Sequence, residues 1–179
     1  MKIALSAGHT PFRQGGETGM ISEYGLTMVI IGDLVFRLQK AGHEAWIIGA
    51  DSNLEQIKRI NELDADCGLE LHFNSHTGDK LNGTEVLHAG SEKGMLLAEC
   101  VQKALVDRLG TKDLGIRLGH FQGNVTKPII EMLKDTNCPF IVPEPLFLSN
   151  IFDLSRLDPA GIAIALFDGL ITYFSRLKP

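Results

Sequence analysis

The chain has 179 residues, 44% of them apolar and 22% charged, and a formal charge of −5. This length suits one domain with a substantial core. The acidic balance, with Lys and Arg scattered rather than clustered, excludes a strongly basic nucleic-acid footprint, and no stretch approaches the ~18 apolar residues of a membrane-spanning helix.

The N-terminus, "MKIALSAGHT", has one Lys followed by fewer small apolar residues than the ~7–15 of a secretory leader. It reads as a first strand, Ile3–Leu5, that ends in the turn "SAGHTP", and the protein is expected to be made in the cytoplasm. A Gly-rich loop, "RQGGETGM", follows. From Glu23 to about Ala41 the apolar residues Leu26, Val29, Ile30, Leu34 and Leu38 fall at three- and four-residue steps. That spacing predicts an amphipathic helix begun by Ser22 and stopped by Gly42. "EAWIIG" (44–49) is the next strand. Ser52 caps a helix carrying Leu54, Ile57, Ile60 and Leu63, "CGLELHFNS" (67–75) is a strand, and "GTEVLHAG" (83–90) is another, placed nearer an edge by Glu85 and His88. A long helix over 91–109 closes at Gly110, and a shorter one lies around 125–134. The segment 138–150 reads "CPFIVPEPLFLSN", a buried strand interrupted by Glu144. Asp158-Pro159 is an N-cap followed by proline at the first helical position of the last helix.

Strands separated by helices of ten or more residues imply crossover connections. The expectation is a single α/β domain over 1–179, with a mostly parallel twisted sheet and helices on both faces. Cys67, Cys100 and Cys138 fit no CxxC pattern and read as three buried thiols in a reducing compartment.

In such sheets ligands bind beyond the carboxyl ends of the strands, and three strand ends carry unusual residues. The first runs into His9, the strand 67–75 carries His72 with Asn74 beyond it, and the strand around 139–143 runs into Glu144. Glu23 opens the first helix within reach of that edge. Two histidines and a carboxylate make a zinc first shell with one position left for water, although their spacing matches no compact pattern such as HExxH. Each residue has a second reading. His9 is an ordinary turn histidine, His72 a satisfied core histidine, and Glu23 a helix-start acid that favours the dipole. Glu144 is then one half of a buried ion pair with an arginine. Glu70 shares a face with His72 and either holds it from behind or pairs with an arginine elsewhere. His43, His76 and His88 read as solvated loop or edge residues, and His120, in "LGHFQG", as a residue lining the cleft.

Taken together, "SAGHTP", Glu23 at a helix start, "LELHFNS" and "PFIVPEPLFLSN" resemble, in order, the four blocks of the zinc-dependent N-acetylmuramoyl-L-alanine amidases. The resemblance implies one Zn2+ held by His9, Glu23 and His72, with Glu144 as the catalytic carboxylate. Asn74, Arg117 and His120 are the candidate substrate contacts. Glu17 is a rival for Glu23 but lies in the Gly-rich loop. The implied activity is hydrolysis of the amide between N-acetylmuramate and L-alanine, and the implied partner is peptidoglycan, stem peptide included. The catalytic module fills the chain with no separate wall-binding domain, as in a phage or prophage endolysin that acts on the wall after release. The first block departs from the more usual Asp-Pro-Gly-His-Gly-Gly, and "DLGIRLGHFQGN" departs from the common form. Two other readings are a carboxypeptidase-like zinc peptidase, with Arg13 or Arg117 holding a terminal carboxylate, and a non-catalytic wall-binding protein on the same fold.

Overall fold

A computed structural model describes residues 1–18, 21–50, 52–76, 80–119 and 127–177. In chain order the elements are β1 (Lys2–Ala7), β2 (Glu17–Thr18), β3 (Ile21–Ser22), α1 (Glu23–Lys40), β4 (Glu44–Ile47), α2 (Asn53–Leu63), β5 (Cys67–Leu71), β6 (Thr84–His88), α3 (Glu92–Leu109), β7 (Asp113–Leu118), α4 (Lys127–Asp135), β8 (Phe140–Glu144), α5 (Ile151–Leu154) and α6 (Pro159–Arg176). Six strands form one sheet in the order β4-β1-β5-β8-β6-β7, and β2 pairs with β3 in a small antiparallel ladder.

The expected α/β architecture is present, and its sheet is mixed. β1, β4, β5 and β8 run parallel, whereas β6 runs antiparallel to β8 and parallel to β7. Period-2 alternation sorts the strand residues between two cores. Ile3, Leu5, Leu69, Leu71 and Ile141 pack under α1, α3 and α6. Ala4, Leu87, Phe140 and Val142 pack under α2 and α4. The predicted caps Ser22, Ser52 and Asp158 form as read, each accepting a backbone N–H of the first helical turn. Ser91, read as the first residue of its helix, is instead the N-cap of α3, which ends with Gly110 in the left-handed region. No helix among the described residues is long and apolar enough to cross a membrane.

Several boundaries differ from the sequence reading. β5 stops at Leu71, although the His72 amide still donates to Pro143 O at 3.1 Å. β7 occupies part of the segment for which no element is expected. Gly115, at φ 80°, and the register shift beside Thr84 break the periodicity that would reveal it. Val29, part of the apolar spacing of α1, and Leu54, among the apolar residues of α2, are 64% and 78% exposed. His88 is buried and accepts the Gly90 amide at Nδ1, which corrects its placement in solvent. His43 is half-buried against the Phe174 ring, also away from its expected solvated position, and His76 is exposed as read.

The turn after β8 explains "LFLSN". Asn150 caps α5 by accepting the Phe152 and Asp153 amides. That helix carries Asp153 back under the turn, where its buried carboxylate accepts the amides of Phe147 and Gly83, each at 2.9 Å. The chain just beyond Glu144 is thereby tied to the chain that enters β6.

Candidate metal centre

Three elements deliver one cluster. The β1 strand ends at Ala7, and the next two residues place His9 in the left-handed region at φ 68°, a conformation that costs a non-glycine residue of order 1 kcal/mol. The first residue of α1 is Glu23, buried and pinned by two backbone donors. The Phe73 amide donates to Oε1 at 2.9 Å and the Gly16 amide to Oε2 at 3.0 Å. His72 follows β5. His9 Nε2 lies 3.1 Å from Glu23 Oε2, and His72 Nδ1 lies 3.2 Å from Glu23 Oε1. One ligand atom from each residue falls within 4.8 Å of the others, and among the described residues this is the one such group. Glu17, the rival carboxylate, forms part of β2, and its side chain lies outside the described residues.

Two glycines make the cluster possible. A Cβ on Gly8 would stand 2.4 Å from the His72 ring. Gly15, at φ 75°, would put a Cβ 2.4 Å from the His9 ring and 2.6 Å from Glu23 Oε2.

The donor set fits a divalent cation. Glu70 Oε1 lies 2.9 Å from His72 Nε2, and a carboxylate only accepts, so Nε2 carries a hydrogen. On the other side of the ring, Nδ1 faces a second carboxylate oxygen. Two acceptors at that separation need a shared cation, either a proton or a metal ion. The electrostatics agree. Burial opposes the charge on both side chains, but mutual hydrogen bonds outweigh it. Glu23 is held well below the usual carboxylate range by His72, His9 and the Phe73 amide. His72 is pushed well above the usual histidine value by Glu23 and Glu70. A borderline N/O site with two imidazoles and one carboxylate is zinc-like chemistry.

Glu144 closes the other side. Gly68 pairs with Phe140 and Leu69 with Ile141, so the same offset sets Glu144 beside His72. Glu144 is buried and faces Glu85 directly across the antiparallel ladder. Glu85 has its charge met by Arg117 Nε at 2.9 Å and Asn74 Nδ2 at 2.7 Å. Burial pushes Glu144 up to about 7, with Glu85 and Glu23 adding to the rise and His72 and Asn74 opposing it. Asn74 and Arg117 line a cavity of about 300 Å³ shared with Glu144, Lys80 and Lys112. Arg117 meets Glu85 through Nε and lines the same cavity. Arg13 is exposed and lines the cavity on the His9 side. His120 lies outside the described residues. Sequence reading missed Glu85 as a cleft residue. Its charged position within an apolar strand was the available signal.

The profile described as N-acetylmuramoyl-L-alanine amidase matches residues 3–166, a span that contains the three residues of the cluster and Glu144. The chain belongs to this amidase family. Among curated proteins it is 28% identical over 130 residues to the N-acetylmuramoyl-L-alanine amidase LytC of Bacillus subtilis (strain 168). That match covers 67% of this chain and 24% of LytC, so the chain corresponds to about a quarter of that relative. The fold matches the catalytic domain of CwlV, an N-acetylmuramoyl-L-alanine amidase from Bacillus (Paenibacillus) polymyxa var. colistinus, with a TM-score of 0.82. Identity is 21%, with 98% of this chain and 99% of that one covered. It also matches the catalytic domain of the CD27L endolysin targeting Clostridia difficile, with a TM-score of 0.81, 22% identity and coverage of 96% and 97%. At these identities the two structures speak for the fold.

Gly8→Ala tests the packing of this amidase-family centre. The His72 ring is held at both nitrogens and cannot yield to a new methyl group. The variant is expected to lose about 1–3 kcal/mol of stability by overpacking and to retain less zinc than wild type after dialysis against a chelator. Urea unfolding and metal analysis measure the two effects, and wild-type values for both would show that the ring is not confined.

Proposed function

We propose that the chain hydrolyses the amide bond between N-acetylmuramate and L-alanine in peptidoglycan, with one zinc ion held by His9, Glu23 and His72 and with Glu144 as the proton carrier. The observation that carries this reading is the convergence of the His/Glu/His cluster with a buried, near-neutral carboxylate on the adjacent strand. Membership of the amidase family supports the choice of bond.

Zinc in this site supplies Lewis-acid chemistry, acidifying water toward neutrality and polarising the carbonyl of the scissile amide. The chain's own residues do the rest. The amides of Gly16 and Phe73 keep the Glu23 carboxylate ionised and aimed at both histidines. Glu144 takes a proton from the water whose oxygen bonds to the lactyl carbonyl carbon. As the carbon–nitrogen bond breaks, Glu144 gives that proton to the departing nitrogen, leaving a muramyl carboxylate and the free amine of L-alanine. A carboxyl near pKa 7 can do both at neutral pH. Lys80 and Lys112 give the adjoining cleft positive charge suited to the carboxylates of a stem peptide.

The setting we propose is synthesis in the cytoplasm and action on the wall after release. Its support is the resemblance to endolysins and the fold shared with the catalytic domain of one. Cells producing the protein are expected to stay intact until their membrane is permeabilised and then to lose turbidity. Lysis without permeabilisation would contradict this.

Incubation with purified peptidoglycan is expected to release peptides with new L-alanine amino termini. Chelation should abolish the release and zinc restore it. Cleavage elsewhere in the stem peptide would replace the amidase reading with a peptidase, and full activity in protein shown to contain no metal would remove zinc from it.

Glu144→Gln keeps the size of the side chain and cannot accept the proton. Turnover is expected to fall by at least about 10²-fold with zinc still bound. The same variant has a stability signature. Folding favours the protonated form of Glu144, because burial raises its carboxyl to about 7 in the fold from an ordinary value of 4.5. Its contribution is complete below pH 4.5 and is lost as pH rises through 7. Metal-free wild type should therefore lose up to ~3 kcal/mol over that interval relative to Glu144→Gln, at ~1.4 kcal/mol per pKa unit. Loss of zinc in Glu144→Gln, with retention in Glu23→Gln, would show that ligand and base are exchanged.

A further inference from the structure

Glu70 is a buried acid outside the His/Glu/His cluster, and all of its described contacts are specific. Oε1 receives His72 Nε2–H at 2.9 Å. Oε2 accepts from Gln56 Nε2 of α2 at 3.0 Å and from Ser6 Oγ of β1 at 3.3 Å. Ser6, Gln56, Glu70 and His72 are all buried, so the carboxylate is held by partners from β1, from α2 and from the turn after β5. A His72 ring that lost this acceptor would be able to turn over, or to carry its hydrogen on Nδ1, where a metal needs a lone pair.

The sequence adds a second observation. Ser6 is the direct partner of Glu70 in the β1–β5 ladder. It also opens the segment "SAGHTP" that carries His9, so position 6 lies where the two histidine-bearing stretches pair. On this facing pair the acid lies on β5 and the small hydroxyl on β1. We infer that Glu70 is a positioning residue for the metal centre. It fixes the tautomer and ring orientation of His72 from the β5 side, a service that position 6 on β1 is also placed to supply. The inference rests on the zinc reading above and adds to it a specific source for the supporting acid in this chain.

The test compares wild type, Glu70→Ser, Glu70→Gln and the double variant Ser6→Asp/Glu70→Ser. Zinc affinity is measured by competition with a chromogenic chelator, with circular dichroism to show that each protein is folded. Glu70→Ser is expected to bind zinc about 10–100-fold more weakly. Glu70→Gln keeps an acceptor oxygen without the charge and is expected to fall between Glu70→Ser and wild type. The double variant should recover most of the loss. In nitrogen-15 spectra of the zinc-loaded wild type, His72 should carry its hydrogen on Nε2. Wild-type affinity in folded Glu70→Ser, or in Glu70→Gln should the serine variant not fold, overturns the inference alone. So does an Nδ1–H tautomer in wild type. A double variant as weak as Glu70→Ser overturns the equivalence of positions 6 and 70. Absence of zinc binding by wild type overturns the metal reading and this inference with it.

Discussion

Glu23 carries a carboxylate almost entirely out of water, and the architecture of the site follows from keeping that charge satisfied. Desolvating a carboxylate costs several kcal/mol unless donors and cations replace the lost water. Two backbone amides do part of this work, one from the loop after His9 and one from the turn after β5. Two histidine nitrogens do the rest. Because each oxygen of the carboxylate has one amide and one imidazole, the group is held in a single orientation. A cation shared among these three side chains resolves the competition between the Glu23 oxygen and the His72 nitrogen for the same space.

The sheet makes this arrangement possible. β1, β5 and β8 are adjacent and parallel, so their carboxyl ends bring His9, His72 and Glu144 to one edge. The antiparallel entry of β6 adds what a fully parallel sheet would not. It sets Glu85 opposite Glu144, and that second carboxylate, held by Arg117 and Asn74, helps keep Glu144 near neutrality. Asp153 then ties the turn after Glu144 to the start of β6, which links the position of Glu144 to the strand that faces it.

Much of this was legible in the sequence, and the remainder was not for definable reasons. Helix caps are local, so Ser22, Ser52 and Asp158 announced their helices correctly. Buried strands read as apolar runs, and their polar ends stood out, which is how His9, His72 and Glu144 were found. The strand β7 escaped because a left-handed glycine and a bulge interrupt its alternation. The exposure of Val29 and Leu54 escaped because spacing gives the face of a helix and does not say how much of that face the neighbours cover. The choice between two roles for Glu70 depended on Gln56 and Ser6, which meet it only in the folded chain. His88 was misplaced because its partner is the amide of Gly90, a contact that residue type does not reveal.

The central claim is that His9, Glu23 and His72 form a zinc centre and that Glu144 stands beside it without being a ligand. Anomalous diffraction at the zinc absorption edge, from crystals of the chain grown with zinc, tests this most directly. The account predicts one strong peak about 2.0–2.2 Å from a nitrogen of each histidine and from a Glu23 carboxylate oxygen, with Glu144 outside that distance. A peak ligated by Glu144 in place of Glu23, or the absence of a peak among these three residues in zinc-containing crystals, would contradict it.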